Sequence, residues 1–257
     1  MMGRRSTYLI ANWKLHKTGS EAAAFVSTLC NALARPHNVR VWIAPPYTAI
    51  SAAVRAANGK VVIGAQDVSA YERGAYTGDV SAELVAAEKG AFSLVGHSER
   101  RALFGDSDES VHRKVTQALK AGLKPVLCIG ETEKERNEGK TEGVLQRQLE
   151  GGLADLSSEE LCEVLIAYEP VWAIGTGKAA TPEGVAQVHA FCRQFLAKIK
   201  GAKIGEEIPL LYGGSVKPAN IAELLRLEDV DGALIGGASL SVETFCEMIE
   251  LTEDKVV

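Results

Sequence analysis

Short apolar runs alternate with segments of helical character along the whole chain. Eight runs are apolar at most positions on both faces, which is typical of buried parallel strands: Tyr8–Ala11, Val39–Ala44, Val61–Ala65, Phe92–Val95, Pro125–Ile129, Val164–Ala167, Pro209–Leu211 and Ala233–Ile235. The segments between them are alanine-rich or carry apolar residues at helical spacing: Ala22–Leu33, Ala49–Ala57, Ala82–Lys89, Val111–Ala121, Val144–Leu153, Gly184–Lys200, Pro218–Leu225 and Val242–Leu251. The pattern therefore predicts strand and helix in alternation, eight times over.

This alternation predicts an α/β fold, a (β/α)8 barrel with a parallel sheet and right-handed crossovers, as a single domain over residues 1–257. No linker rich in Gly, Ser or Pro divides the chain. An open doubly wound sheet is the alternative, but such sheets usually carry a Gly-rich loop after the first strand, where Ala11-Asn12-Trp13-Lys14 stands here. Residues 1–6 precede the first strand, and we expect them to form a flexible N-terminal extension.

Polar residues and glycines follow the predicted strands at the points where the strands end. In a (β/α)8 barrel these points meet on one rim, which is where such folds place their chemistry. The candidate site residues found in this way are Asn12, Lys14, His97, Glu99, Glu169, Ser215, Gly236 and Gly237.

Glu169 stands at the very end of the sixth apolar run and is followed at once by Pro170. The proline restricts the backbone of Glu169, so the carboxylate is held on a stiff joint. An apolar segment and two glycines come next, and such a segment is a poor exposed loop unless it covers something. A surface glutamate before an ordinary turn is the alternative. We interpret Glu169 as a catalytic base attached to a lid made of Pro170, Val171, Trp172, Ala173, Ile174, Gly175, Thr176, Gly177 and Lys178.

Four further side chains fit roles around this base. His97 is a candidate electrophile, and a helix starting directly after it would disfavour the imidazolium and leave a neutral ring that donates an N–H. Asn12 and Lys14 point the same way on an extended segment, so Lys14 can neutralise an oxyanion, and Glu99 can pair with Lys14. The alternatives are a structural histidine, a solvated lysine and a glutamate in a surface charge run.

Two glycine pairs follow the last two strands, in Gly213-Gly214-Ser215 and Gly236-Gly237. Glycines let backbone N–H groups approach an anion closely, and barrels often bind phosphate here. Either pair alone also fits a tight turn. Together with Gly175 in the lid they favour a phosphate site. A base, a neutral donor, a cation and a phosphate site, without a metal or cofactor motif, fit proton transfer next to a carbonyl in an aldose or ketose phosphate.

Charge, apolar runs and cysteine spacing limit the kinds of partner that the protein can bind and the compartment in which we expect it. The formal net charge is −5 and there is no basic block, which argues against nucleic-acid binding. No stretch approaches the ~20 apolar residues that span a bilayer, and no signal peptide is evident. The cysteines are five in number, scattered and without zinc spacing, as expected for free thiols in the cytoplasm.

Five motifs in order resemble the triosephosphate isomerase family: Asn12-Trp13-Lys14, Val95–Arg101, Ala167–Gly177, Tyr212–Val216 and Asp231–Leu240. The resemblance implies an isomerase of glycolysis and gluconeogenesis that interconverts dihydroxyacetone phosphate and D-glyceraldehyde 3-phosphate through an enediolate, without a cofactor or metal. It also implies Glu169 as the base, His97 acting at the two substrate oxygens, Asn12 and Lys14 stabilising negative charge, and amides of Gly175, Ser215 and Gly237 holding the phosphate.

The resemblance further implies a homodimer. The segment from Gln66 to Gly78 matches the family's interface arm, with Tyr76 in it and with Thr77 reaching toward the partner's Asn12 and Lys14. Two other functions remain open at this point. One is a barrel enzyme for a larger sugar phosphate, and the other is a catalytically silent barrel that acts as a binding or scaffolding protein.

Overall fold

A computed structural model describes residues 5–33, 38–174 and 180–253, and within these ranges eight parallel strands form one barrel. The strands are β1 (Thr7–Asn12), β2 (Val39–Ala44), β3 (Val62–Ile63), β4 (Phe92–Val95), β5 (Lys124–Ile129), β6 (Leu165–Tyr168), β7 (Leu210–Tyr212) and β8 (Gly232–Ile235). Each overlaps one of the predicted runs. The (β/α)8 architecture is therefore confirmed, with boundaries shifted by one residue at most strands.

The strands follow the order β3-β2-β1-β8-β7-β6-β5-β4. The barrel closes between β3 and β4 through an isolated parallel bridge that joins Ala65 to Ser93. The Ala65 N–H donates to the Phe92 carbonyl at 2.9 Å, and the Leu94 N–H donates to the Ala65 carbonyl at 3.0 Å. This closure rules out the open doubly wound alternative. It also corrects the third strand, which was predicted over Val61–Ala65 and is only two residues long.

Twelve α-helices lie in the described ranges: α1 (Gly19–Ala32), α2 (Ile50–Ala57), α3 (Ala82–Ala87), α4 (Ser98–Phe104), α5 (Asp108–Lys120), α6 (Glu133–Asn137), α7 (Thr141–Gly152), α8 (Ser158–Leu161), α9 (Pro182–Lys200), α10 (Ala202–Glu207), α11 (Pro218–Leu224) and α12 (Val242–Glu253). Most match a predicted helix within three residues. The eight predicted helical segments do not include α4, α6, α8 and α10, which are short and bury few apolar side chains.

The core has two layers, separated by the sheet. Inside the barrel the side chains of alternate strand positions pack together, with Ile10, Trp42, Phe92, Leu94 and Leu211 at their centre. The opposite face of each strand packs against the helices and forms the larger cluster. Because strand residues alternate between the two layers, both faces had to be apolar, and this is the pattern read from the sequence.

Arg5 bonds to the barrel, although it lies in the segment expected to be flexible. Its Nε donates to Asp231 Oδ1 at 2.6 Å, and its Nη2 donates to the Glu228 carbonyl at 3.1 Å. Residues 1–4 lie outside the described residues, so the extension itself stays a prediction. Among the helices described, none is long and apolar enough to cross a membrane.

Candidate active site

The structure brings eight of the predicted site residues to one cavity of about 380 Å³ at the carboxyl ends of the strands. These residues are Asn12, Lys14, His97, Glu99, Glu169, Ser215, Gly236 and Gly237. They come from five different strands, far apart in sequence. The cavity therefore combines the buried Glu169 carboxylate, the partly exposed Glu99 carboxylate, an imidazole, an ammonium group and two glycine-rich loops.

Glu169 directly follows β6 and is almost completely buried. One carboxylate oxygen, Oε2, accepts a hydrogen bond of 2.8 Å from the Ser98 N–H. The other, Oε1, lies 2.8 Å from Nε2 of His97. The predicted base and the predicted electrophile are thus in direct contact, and the base is held at the first turn of α4.

His97 caps the N-terminus of α4, where its Nδ1 accepts a hydrogen bond of 3.2 Å from the Glu99 N–H. Because Nδ1 is an acceptor, the ring proton belongs on Nε2, which then donates to Glu169. Burial of the ring lowers the pKa of His97, but the charge and hydrogen bond of Glu169 together with the charge of Glu99 outweigh burial, so the pKa is raised from its ordinary value. The helix N-terminus favours a neutral His97 ring, as expected from the sequence, whereas the Glu169 carboxylate in this arrangement favours the protonated ring.

Lys14 occupies left-handed backbone space, with φ at 50°. Asn12 supports this turn, since its Oδ1 accepts a hydrogen bond of 3.1 Å from the Lys14 N–H, and Gln66 Nε2 donates to the Lys14 carbonyl at 2.8 Å. The Lys14 ammonium lies 2.5 Å from Glu99 Oε1, which is the expected pair. The ammonium is thus held at the cavity by a side chain that is itself partly open to solvent.

The two glycine-rich loops lie across the cavity from β4. A Cβ on Gly213 would lie 2.9 Å from Cγ of Glu169, so the chain passes against the base at this point. Gly236 approaches Lys14, because a Cβ there would lie 3.5 Å from Cε of the lysine. Ser215 precedes α11, and its carbonyl accepts a hydrogen bond of 3.0 Å from Asn220 Nδ2. The two glycine-rich loops and the Lys14 side chain therefore border the same cavity.

The first part of the predicted lid is described and rests on β5. Pro170 is buried, Val171–Ala173 form a 3₁₀ turn, and Ile174 lines the cavity. Trp172 Nε1 donates to Glu131 Oε1 at 2.8 Å. The remaining predicted lid residues, Gly175, Thr176, Gly177 and Lys178, lie outside the described residues.

Glu131 is a residue to which sequence reasoning gave no role. Its side chain is fully buried and also accepts a hydrogen bond of 3.2 Å from the Tyr168 hydroxyl. The nearby carboxylate contributes, after burial, to raising the pKa of Tyr168. The sequence did carry a signal for this residue, because Glu131 stands two positions after the fifth apolar run and therefore on the same rim as Glu169.

The predicted interface arm carries exposed aromatic residues. Tyr71 and Tyr76 stack with ring centroids 3.9 Å apart, and Thr77 beside them is exposed. Leu15, in the loop that carries Lys14, is 96% exposed. Gln66 instead points into its own chain, where it also donates to the Ala44 carbonyl at 3.0 Å. The predicted arm and the loop that carries Lys14 therefore both expose large apolar or aromatic side chains.

No group of three or more His, Cys, Asp or Glu side chains within the described part of the chain is arranged to hold a metal ion. The side chains described at the cavity offer acid–base and electrostatic chemistry, through a carboxylate, an imidazole and an ammonium group.

Comparison with known proteins supports one family. A family model for triosephosphate isomerase matches residues 7–252. A protein named triosephosphate isomerase from Protochlamydia amoebophila is 44% identical over 246 residues, which cover 95% of this chain and 93% of that protein. One of the same name from Geotalea uraniireducens is 44% identical, with 97% and 100% covered, and one from Geobacter metallireducens is 46% identical, with 94% and 96% covered.

Proposed function

This chain belongs to the triosephosphate isomerase family and interconverts dihydroxyacetone phosphate and D-glyceraldehyde 3-phosphate, and we propose that Glu169 and His97 carry out the proton transfers. The observation that carries the assignment is the contact of 2.8 Å between the buried Glu169 carboxylate and Nε2 of His97, on the wall of a cavity that also contains Lys14. These groups are the ones that an enediolate intermediate requires.

Glu169 is the base. It removes a proton from the carbon next to the carbonyl, the electron pair forms the carbon–carbon double bond of the enediolate, and the same carboxyl returns the proton to the neighbouring carbon. To reach the substrate, the carboxylate leaves the Ser98 N–H and His97. Pro170 and the main-chain contacts on both sides of Glu169 limit this motion to the side chain.

His97 is the electrophile. Its Nε2–H donates to the substrate oxygens and stabilises the negative charge that forms on them. Once Glu169 has moved to the substrate carbon, the carboxylate that raises the pKa of His97 is no longer its direct partner. Burial and the Glu99 N–H on Nδ1 then favour the neutral ring, which can both donate and accept a proton at the two oxygens. A glutamate base paired with a neutral histidine is typical of the triosephosphate isomerase family.

Lys14 and Asn12 stabilise the developing negative charge, and Glu99 keeps the ammonium in place. The amides of Ser215, Gly236 and Gly237, together with Gly175 of the lid, hold the phosphate. Their support is the convergence of two glycine-rich loops and one ammonium at one end of the cavity. Closure of the lid Pro170–Lys178 excludes water and limits loss of phosphate from the intermediate.

The active form is a homodimer located in the cytoplasm. Thr77 and Tyr76 of one protomer reach the loop that carries Asn12 and Lys14 in the other and cover Leu15. The exposed aromatic and apolar side chains on this arm and loop support the dimer, and the free cysteines support a reducing compartment. Sedimentation velocity of a Thr77→Arg variant tests the interface, since it should yield monomers of low activity; a fully active monomer would contradict it.

The base is tested by Glu169→Gln, which keeps the shape of the side chain but removes the charge. We expect turnover to fall by about 10²- to 10⁴-fold with the fold intact. The assay follows dihydroxyacetone phosphate formed from glyceraldehyde 3-phosphate, and Glu159→Gln, on an exposed helix turn, is the control. Near-normal turnover in Glu169→Gln would remove the residue as the base.

A further inference from the structure

The main chain of Glu169 rests on the end of β5. The Glu169 N–H donates to the Ile129 carbonyl at 2.7 Å, and the Val171 N–H donates to the Glu131 carbonyl at 3.2 Å. Gly130 lies between these two bonds, and the position where a side chain would attach to its Cα faces the carbonyl of Glu169. A Cβ on Gly130 would lie 1.7 Å from that oxygen. The position of Gly130 therefore determines where the backbone of Glu169 can lie.

Gly130 has no strand partner on its other side. Strand β4 pairs with β5 only as far as Val95 and Leu127. In a parallel strand, successive residues direct their N–H and C=O groups to opposite neighbours. Since the carbonyls of Ile129 and Glu131 face β6, the polar groups of Gly130 face the gap where β4 has already ended.

Gln148 on α7 fills this gap. The Gly130 N–H donates to Gln148 Oε1 at 2.7 Å, and Gln148 Nε2 donates to the Gly130 carbonyl at 3.3 Å. The side chain is 4% exposed. One side-chain amide thus satisfies both main-chain groups of Gly130, as a neighbouring strand would.

Packing alone does not hold Gly130 in this place. A second cavity of about 410 Å³ borders Gly130, Gln148, Glu169 and Val171. Main-chain groups beside open space can shift toward it when their partner is lost, whereas closely packed groups cannot. The two hydrogen bonds from Gln148 are therefore the main restraint on this side of the strand end.

We propose that Gln148 is a positioning residue for the catalytic base: through Gly130, it sets the main-chain position from which the Glu169 carboxylate reaches the substrate carbon. The inference rests on Glu169 being the base, as proposed above. Gln148 does not line the substrate cavity. Its loss should therefore affect the proton transfer and leave phosphate binding unchanged.

The first test is Gln148→Met, which keeps the length of the side chain and removes the amide. We expect kcat to fall by roughly 10- to 100-fold, because a displacement of the base by about 1 Å has effects of that size. KM should stay unchanged, since the phosphate loops follow β7 and β8. Gln146→Met, on the same helix and half-buried, is the matched control and should keep the normal kcat.

The second test, Gln148→Glu, makes the restraint depend on pH. A protonated carboxyl can accept from the Gly130 N–H and donate to its carbonyl, whereas a carboxylate can only accept and repels the carbonyl oxygen. The kcat of this variant, divided by the kcat of the unmodified protein at the same pH, should therefore fall as pH rises through the pKa of the new carboxyl. A merely structural role would lower thermal stability and leave this ratio constant.

The outcomes separate the two proposals when Glu169→Gln is measured in parallel. Normal kcat in folded Gln148→Met, or a raised KM alone, overturns the role of Gln148 if Glu169→Gln has lost turnover. Normal turnover in Glu169→Gln overturns the base and, with it, the premise. If Gln148→Met does not fold by circular dichroism, a pH-independent ratio in Gln148→Glu overturns the role of Gln148.

Discussion

The two ends of the barrel use the same kinds of charged residue in opposite ways. At the carboxyl end, Glu169, His97 and Lys14 each have few partners, and these partners can be exchanged for a substrate. At the amino end, Arg193 donates to Asp231 at 2.7 Å, to Asp229 at 3.1 Å and to two backbone carbonyls. A site that must react keeps its charges exchangeable, whereas a site that must hold the fold saturates them.

Two buried histidines show the same difference. Burial lowers the pKa of His97, but the carboxylates of Glu169 and Glu99 together outweigh burial, and the net direction is upward. Burial lowers the pKa of His189 to about 4, and the charge of Arg193 acts in the same direction. The opposing contact, 3.0 Å from Nδ1 to the Asp229 carbonyl, is too weak to compensate. Its Nε2 has no partner within the described ranges. The carboxylates around His97 thus favour its charged form, whereas burial and Arg193 favour the neutral form of His189.

The largest expected effect is on stability, at the amino end. Arg193→Met removes the buried donor that two carboxylates and two carbonyls share, so the free energy of unfolding should fall by about 3–5 kcal/mol. Urea unfolding at fixed protein concentration measures it. The kcat of the remaining folded protein should be normal, because Arg193 does not line the active-site cavity. A loss of kcat with unchanged stability would reverse the contrast between the two ends.

The matching change at the carboxyl end is Lys14→Met. It should lower kcat/KM by roughly 10²- to 10³-fold, because one stabilising group for the negative charge is lost. The affinity for inorganic phosphate, measured by calorimetry, should fall as well. Stability should change little, since the Lys14–Glu99 pair is partly exposed. Unchanged phosphate affinity would contradict the place of Lys14 at the anion site.

The smallest effect is the acid dependence due to His189. Its pKa is lower in the folded than in the unfolded state, so its neutral form stabilises the protein fully above about pH 6.5, and this contribution is lost as pH falls toward 4. The loss amounts to about 3 kcal/mol. In His189→Asn, the free energy of unfolding should decline less steeply between pH 6.5 and 4 than in the unmodified protein. Parallel curves for the two proteins would show that His189 does not titrate in this range.

The sequence predicted the barrel and the site because both depend on periodic or local signals. Strands apolar on both faces specify a sheet that is covered on both sides, and Glu169-Pro170 specifies a restrained carboxylate. The hydrophobic pattern did not predict α4 because its largest apolar side chains, Leu103 and Phe104, are exposed. The sequence also did not show that the chain turns from β2 toward β4 after Ile63, where Gly64 lies so close to Phe92 that a Cβ would be 2.3 Å from it.

Contacts between distant segments were beyond the reach of the sequence. The partner of Glu169 in the observed arrangement, Nε2 of His97, depends on a rotamer and on the first turn of a helix that the pattern did not show. Gln148 lies within an amphipathic helix, where a glutamine is typical of a solvent-facing position. Its burial and its two hydrogen bonds to Gly130, which the sequence does not show, distinguish it from Gln146, two residues earlier.

The junction between β3 and β4, called the seam below, is the weakest connection between neighbouring strands of the barrel. Seven neighbouring strand pairs are joined by ladders of two or more residue pairs, whereas the eighth is joined by the single bridge from Ala65 to Ser93. Local opening of the barrel should be easiest where the fewest hydrogen bonds join neighbouring strands. Amide protons at Ala65 and Leu94 should therefore exchange with solvent before those of the β1–β2 ladder. The segment that begins at this seam is the predicted interface arm, and a second protomer docked there, as proposed above, would hold the two edges of the barrel together.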